Sequence, residues 1–125
     1  MKKLIHSDHA PRALGPYSQA VQHGDLVFLS GQVGIDPATG KFIDGGVEEQ
    51  THQVIKNLTA VLEAADLDRS QILKTTIFLA SMEDFQKVNA VYGEYFSDNP
   101  PARATVEVAG LPLGALVEVE AVAAK

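Results

Sequence analysis

Apolar and polar positions change their spacing along the chain, and the changes mark out its elements. Ala10-Pro11 through Gly15-Pro16 reads as loop, because each proline restricts the residue before it. Leu26-Val27-Phe28-Leu29-Ser30 is a short apolar run that stops at Gly31, the pattern of a buried strand. Asp36-Pro37-Ala38-Thr39-Gly40 is a turn cluster placed to join two strands. From Val47 the spacing becomes three and four. Val47, Thr51, Val54, Ile55, Leu58, Val61, Leu62 and Ala65 predict one apolar face of a helix of about 18 residues. Glu48 and Glu49 occupy its first turn, where the helix dipole favours acids, and Asp66 stands where a left-handed residue would end it. Ile72 to Ala80 predicts a second buried strand, with Thr75, Thr76 and Ile77 β-branched. Ser81 reads as an N-cap with Asp84 three residues on. Phe85, Val88, Tyr92, Tyr95 and Phe96 then line a second helix that must end before Pro100-Pro101. Two alternating strands, Arg103–Ala109 and Leu116–Ala123, close the chain around Gly110-Leu111-Pro112-Leu113-Gly114.

This order predicts an α+β domain, a sheet with two helices on one face. With 125 residues, no repeat and no linker, residues 1–125 read as a single domain. A composition of 46% hydrophobic and 21% charged residues supports a folded core. The absence of cysteine excludes disulfides, thiolate nucleophiles and cysteine metal sites. No apolar stretch exceeds Leu26–Leu29, far short of a membrane helix, and Met1-Lys2-Lys3-Leu4-Ile5-His6 lacks the apolar segment of a secretory signal. A cytoplasmic protein without a membrane partner is therefore expected. The 10 basic and 16 acidic residues give a formal charge of −6, which argues against nucleic acid as the main partner. The four histidines show no ligand spacing, so no metal is expected, and no phosphate-binding glycine motif occurs.

The alternation of the last two strands carries the chemistry. It places Val106 and Val108 with Val117, Val119, Ala121 and Ala123 on a face packed against the helices. The other face would then collect Arg103, Thr105, Glu107, Glu118 and Glu120. Such a face can be the wet side of an open sheet. It can also line a cleft, where Arg103 offers a planar fork of donors to a carboxylate and a glutamate handles a proton. Tyr17 and Ser30, beside Pro16 and Gly31, are either turn residues or site residues, and spacing does not decide between them.

Several segments resemble the RidA/YjgF family of enamine/imine deaminases: Gly15-Pro16-Tyr17-Ser18-Gln19, Leu29-Ser30-Gly31-Gln32, Lys74-Thr75-Thr76, Asp84-Phe85 and Val88-Asn89. The most specific is Pro101-Ala102-Arg103-Ala104-Thr105-Val106-Glu107-Val108, followed by Leu111-Pro112 and Val117-Glu118-Val119-Glu120-Ala121. The resemblance spans Ala10 to Ala123. It implies a chorismate-mutase-like fold assembled as a homotrimer with sites between subunits. The implied activity is hydrolysis of 2-aminoacrylate-type imines and enamines to 2-keto acids and ammonia, without metal or organic cofactor.

Within that resemblance, Arg103 matches the arginine that clamps the substrate carboxylate and Glu118 the acid that manages the hydrolytic water. Tyr17, Ser30, Gly31 and Asn89 match pocket residues, and Thr105 takes a lining position. Three positions depart from the family pattern. Thr105 stands where many members carry cysteine, Gly110 where a larger residue is frequent, and Asp66 where glycine is frequent. The Gly110 exchange is expected to open the pocket rim. A non-catalytic trimer binding small carboxylates, with a sensing or regulatory role, is the alternative the same residues allow.

Overall fold

The computed structural model describes residues 1–125. Its strands are β1 (Lys3–Ile5), β2 (Ala20–His23), β3 (Leu26–Gln32), β4 (Ile35–Asp36), β5 (Lys41–Phe42), β6 (Ile72–Leu79), β7 (Ala102–Glu107) and β8 (Val117–Ala124). Its helices are α1 (Val47–Ala64), after β5, and α2 (Phe85–Phe96), after β6. Six strands form one sheet in the order β1-β2-β3-β8-β6-β7, while β4 and β5 pair around the Asp36–Gly40 turn. Every pair in the large sheet is antiparallel except β6 with the edge strand β7.

The helical periodicity of α1 holds in full. All eight positions of its apolar face are buried, none more than 6% exposed. Burying a side chain such as Leu58 contributes about 1.5–3 kcal/mol, so this face gives α1 most of its stability. The face packs on Val27, Leu29, Ile77, Leu79, Val117 and Val119, which make the sheet's share of the core. Asp66 adopts φ 60, and Asp66 N–H and Leu67 N–H donate to the carbonyls of Glu63 and Leu62. That is a Schellman ending, with buried Leu67 completing it. Two polar side chains of α1 are buried because they hold loops. Asn57 Nδ2 donates to the carbonyls of Val33 and Ile35, and Gln50 Oε1 accepts from Leu116 N–H at the start of β8.

The second helix also forms where expected, entered through a 3-10 turn over Met82–Asp84. Ser81 Oγ caps that turn by accepting from Glu83 N–H, while the Asp84 side chain makes no cap bond. Short strands β1 and β2 have no counterpart in the predicted pattern, since three or four residues cannot display a period.

The last two strands correct the sequence reading. They are not partners, because β6 lies between them. In the register Phe78 pairs with Glu118 on one side and Val106 on the other, so those three side chains share a face. Thr75 pairs with Arg103 and Ala121, which puts Arg103 on the helix side of the sheet. Thr105 and Glu107 go with Arg103, whereas Glu118 and Glu120 point to the open side. Val106 is 41% exposed on that open side instead of packing under a helix. The physical reason is position: β7 is the edge strand and lies at the margin of the helical layer, so its polar alternation can face the helices and still reach water.

Candidate active site

Glu118 is positioned by an irregularity in β3. Leu29 pairs with Ala121 and Gln32 with Val119, so β3 carries one extra residue over that interval. This bulge at Ser30-Gly31 bends the strand beside β8. Gly31 leaves room for this approach: a Cβ would lie 2.8 Å from Glu118 Oε2 and push the carboxylate aside. The carboxylate therefore rests against backbone, half-buried. Burial raises the Glu118 pKa above the ordinary carboxylate range, and the charge of Glu120 on the same face adds to the rise. Ser30 secures the neighbouring loop, since its Oγ donates to the Ser18 carbonyl at 2.6 Å and its N–H to the Gln19 carbonyl at 2.9 Å. Gln19 anchors the same loop to Ser7 and Pro11. Tyr17, at the loop's tip, is 54% exposed. Tyr17, Gly31 and Glu118 line one cleft of about 620 Å³.

Arg103 is held on the other side of the sheet by α2. Its Nη1 donates to Asn89 Oδ1 at 2.7 Å, and its guanidinium lies 5.0 Å from the Tyr92 ring centroid and 5.8 Å from that of Phe85. Phe85, Asn89 and Tyr92 are four and seven residues apart, so α2 presents them on one face. Tyr92 is fixed in turn by Thr75, with 2.7 Å between the hydroxyls, and burial raises its phenol pKa, keeping the ring neutral. Asn89 and the rings orient the guanidinium without neutralising it, and Arg103 forms no ion pair. Its remaining donors are exposed and available to an anion. Thr105 follows on the same face with its Oγ1 buried and without a partner.

The expected residues thus form two half-sites. Tyr17, Gly31 and Glu118 line the cleft, Ser30 braces the adjoining loop without lining it, and Asn89, Arg103 and Thr105 stand together on the helix side. Glu107 belongs to neither, because its Oε1 accepts from Met82 N–H. Gly110 lies outside the cleft lining with open space around it, so in a single chain it widens nothing. Phe85 and Tyr92 read in the sequence as core residues; their spacing with Asn89 is the signal that could have marked them as an arginine platform. Leu14, Gln19 and Leu113 also line the cleft, at loop positions that carry no period.

Known proteins resemble this chain along nearly its whole length. The profile of the Endoribonuclease L-PSP family matches residues 7–125. Protein DfrA of Myxococcus xanthus is 54% identical over 124 residues, covering 98% of this chain and 95% of its own. The 2-iminobutanoate/2-iminopropanoate deaminase of Mus musculus is 49% identical over 123 residues, covering 98% and 91%. Among solved structures, the YjgF gene product of E. coli superposes with a TM-score of 0.93 at 41% identity, covering 98% of each chain. E. coli TdcF, solved with bound serine, gives 0.93 at 37% identity and the same coverage. The chain belongs to the Endoribonuclease L-PSP family, that of YjgF and RidA, and has its α+β fold. Relatives named as imine deaminases at this identity support a RidA-type function. No helix is long and apolar enough to cross a membrane.

Proposed function

We propose that this protein hydrolyses 2-imino acids and their enamine tautomers to 2-keto acids and ammonia, in clefts between the subunits of a homotrimer. One observation carries the reading: an unpaired, pre-oriented Arg103 and a half-buried Glu118 lie on opposite sides of one sheet. Within one chain they cannot hold the same small molecule, so a second copy must bring Glu118 to Arg103. The open side of the sheet fits such an arrangement. Leu4, Leu26, Phe28 and Val106 are each at least 40% exposed there, an unusual apolar surface for a monomer.

Arg103 takes the substrate carboxylate in its fork, a task Lys performs poorly because it lacks the planar pair of donors. Thr105, Ser30 and Tyr17 border the bound molecule, and Asn89 keeps the guanidinium in place. The carbon of a C=N bond is already electrophilic, so orientation and proton handling suffice for this step and no cofactor is required. Glu118 accepts a proton from water as its oxygen bonds to that carbon, and the C=N electrons move to nitrogen, which takes the proton. The resulting carbinolamine collapses: the hydroxyl proton passes through Glu118 to nitrogen, the C–N bond breaks, and ammonia leaves with a keto acid behind. A carboxyl with a raised pKa suits both directions of transfer. RNA cleavage, which the family description carries, has little support here, because Lys and Arg are scattered singly apart from Lys2-Lys3.

The test generates an imine with an amino-acid oxidase in the presence of semicarbazide and follows suppression of semicarbazone formation. Wild type should suppress it, and Arg103→Ala should lower kcat/KM by at least about a hundredfold with the assembly intact. Near-normal turnover by that variant would remove Arg103 from the site.

A further inference from the structure

The cleft beside Glu118 holds more apolar wall than a methyl-bearing substrate can use. Three of the chain's exposed large apolar side chains meet in it: Leu14 at 71%, Tyr17 at 54% and Leu113 at 69%. Leu113 is the most informative. It adopts φ 57 and ψ 23, the left-handed region, within the Leu111–Ala115 turn, and Gly114 beside it has φ 74. Leucine is disfavoured in that region relative to glycine or asparagine, and its exposed side chain gains nothing from the core. An apolar side chain held there at a local cost makes sense as a contact for something bound.

The remaining lining is mixed and includes Gln19, Gln32 and Thr39. Val33, Ile35, Pro37 and Pro112 extend the apolar wall, and the only charged members are Glu118 and the exposed Arg12. The cleft measures about 620 Å³ in a single chain, a space that the substrate would share with the second copy bringing Arg103 to it. An aliphatic group reaching from a carboxylate on Arg103 past Glu118 would displace water from Leu14 and Leu113, whereas a methyl group would leave them wet.

Resting on the deaminase reading, we propose that this site selects substrates with a branched or extended aliphatic side chain, through Leu14 and Leu113. The preferred imines then derive from amino acids of the leucine class, not from alanine. Arg12 at the rim does not turn the preference toward acidic side chains, because it is exposed and Glu118 shares the cleft.

The test uses the intact protein and has two readouts. Calorimetry compares pyruvate, 4-methyl-2-oxopentanoate and 2-oxoglutarate as stable keto-acid probes, and the oxidase assay compares kcat/KM for imines of leucine and alanine. The wild type should favour the isobutyl compound over the methyl one by about tenfold in both. Leu113→Asn, which tolerates the left-handed backbone, combined with Leu14→Ser, should bring that ratio within about twofold. Equal binding by wild type, a ratio kept by the double variant, or tightest binding of 2-oxoglutarate would each overturn the inference. So would a fall of the double variant to monomer mass in light scattering, which would assign the leucines to subunit packing. If no imine is hydrolysed but the keto-acid preference and its loss are seen, the deaminase reading fails and the ligand class stands. If both imines are hydrolysed alike, the reverse holds.

Discussion

Arg103 is available to a ligand because its partners are neutral. Asn89 takes one donor, Tyr92 and Phe85 support the guanidinium plane, and no carboxylate cancels its charge. Glu118 is the complementary case, a carboxyl raised by burial and by Glu120. Its folded form holds a proton more tightly than the unfolded chain does. The stability this contributes is full below the ordinary glutamate pKa and is lost as pH rises through the raised value. Thermal melts across the acid-to-neutral range should therefore show wild type losing Tm relative to Glu118→Gln as pH increases. Parallel curves for the two proteins would mean that Glu118 titrates normally. The identities of Arg103 and Glu118 were legible from the Pro101–Val108 and Val117–Ala121 segments. Their orientation was not, since a side chain's face depends on which strand lies beside it.

At the scale of elements, α1 was readable to its last turn because eight apolar positions and a left-handed Asp66 all serve one local geometry. The β7 strand was misread for the opposite reason. Six alternating residues define two faces but cannot say which one meets the helices, and the register with β6 decides it. The joint between β6 and α2 matters most to the half-site, because Thr75 fixes Tyr92 beneath Arg103. Thr75→Val keeps the shape and strands a buried phenol hydroxyl, which should cost about 1–3 kcal/mol in denaturant unfolding. The same variant should raise KM more than it lowers kcat, as the platform under the carboxylate clamp loosens. A change in kcat alone would separate Tyr92 from binding.

For the whole molecule, the two half-sites predict complementation. Arg103→Ala and Glu118→Gln should each be nearly inactive alone. Unfolded, mixed in equal amounts and refolded, they should regain about a quarter of wild-type activity in random trimers, since one interface in four then pairs both intact residues. No recovery from a mixture of verified trimers would place the site within one chain. The expectation of subunit-shared sites came from family resemblance, and strand order adds that Arg103 and Glu118 face opposite sides of the sheet. Sequence by itself determined the helices, the core face of α1 and the α+β class, because these depend on local period and local chemistry. Only the tertiary structure decided that β6 separates β7 from β8 and that the bulge at Gly31 seats Glu118. It also decided that Arg103 stands on α2's aromatic platform across the sheet from Glu118, because strand pairing joins residues whose separation along the chain leaves no periodic trace.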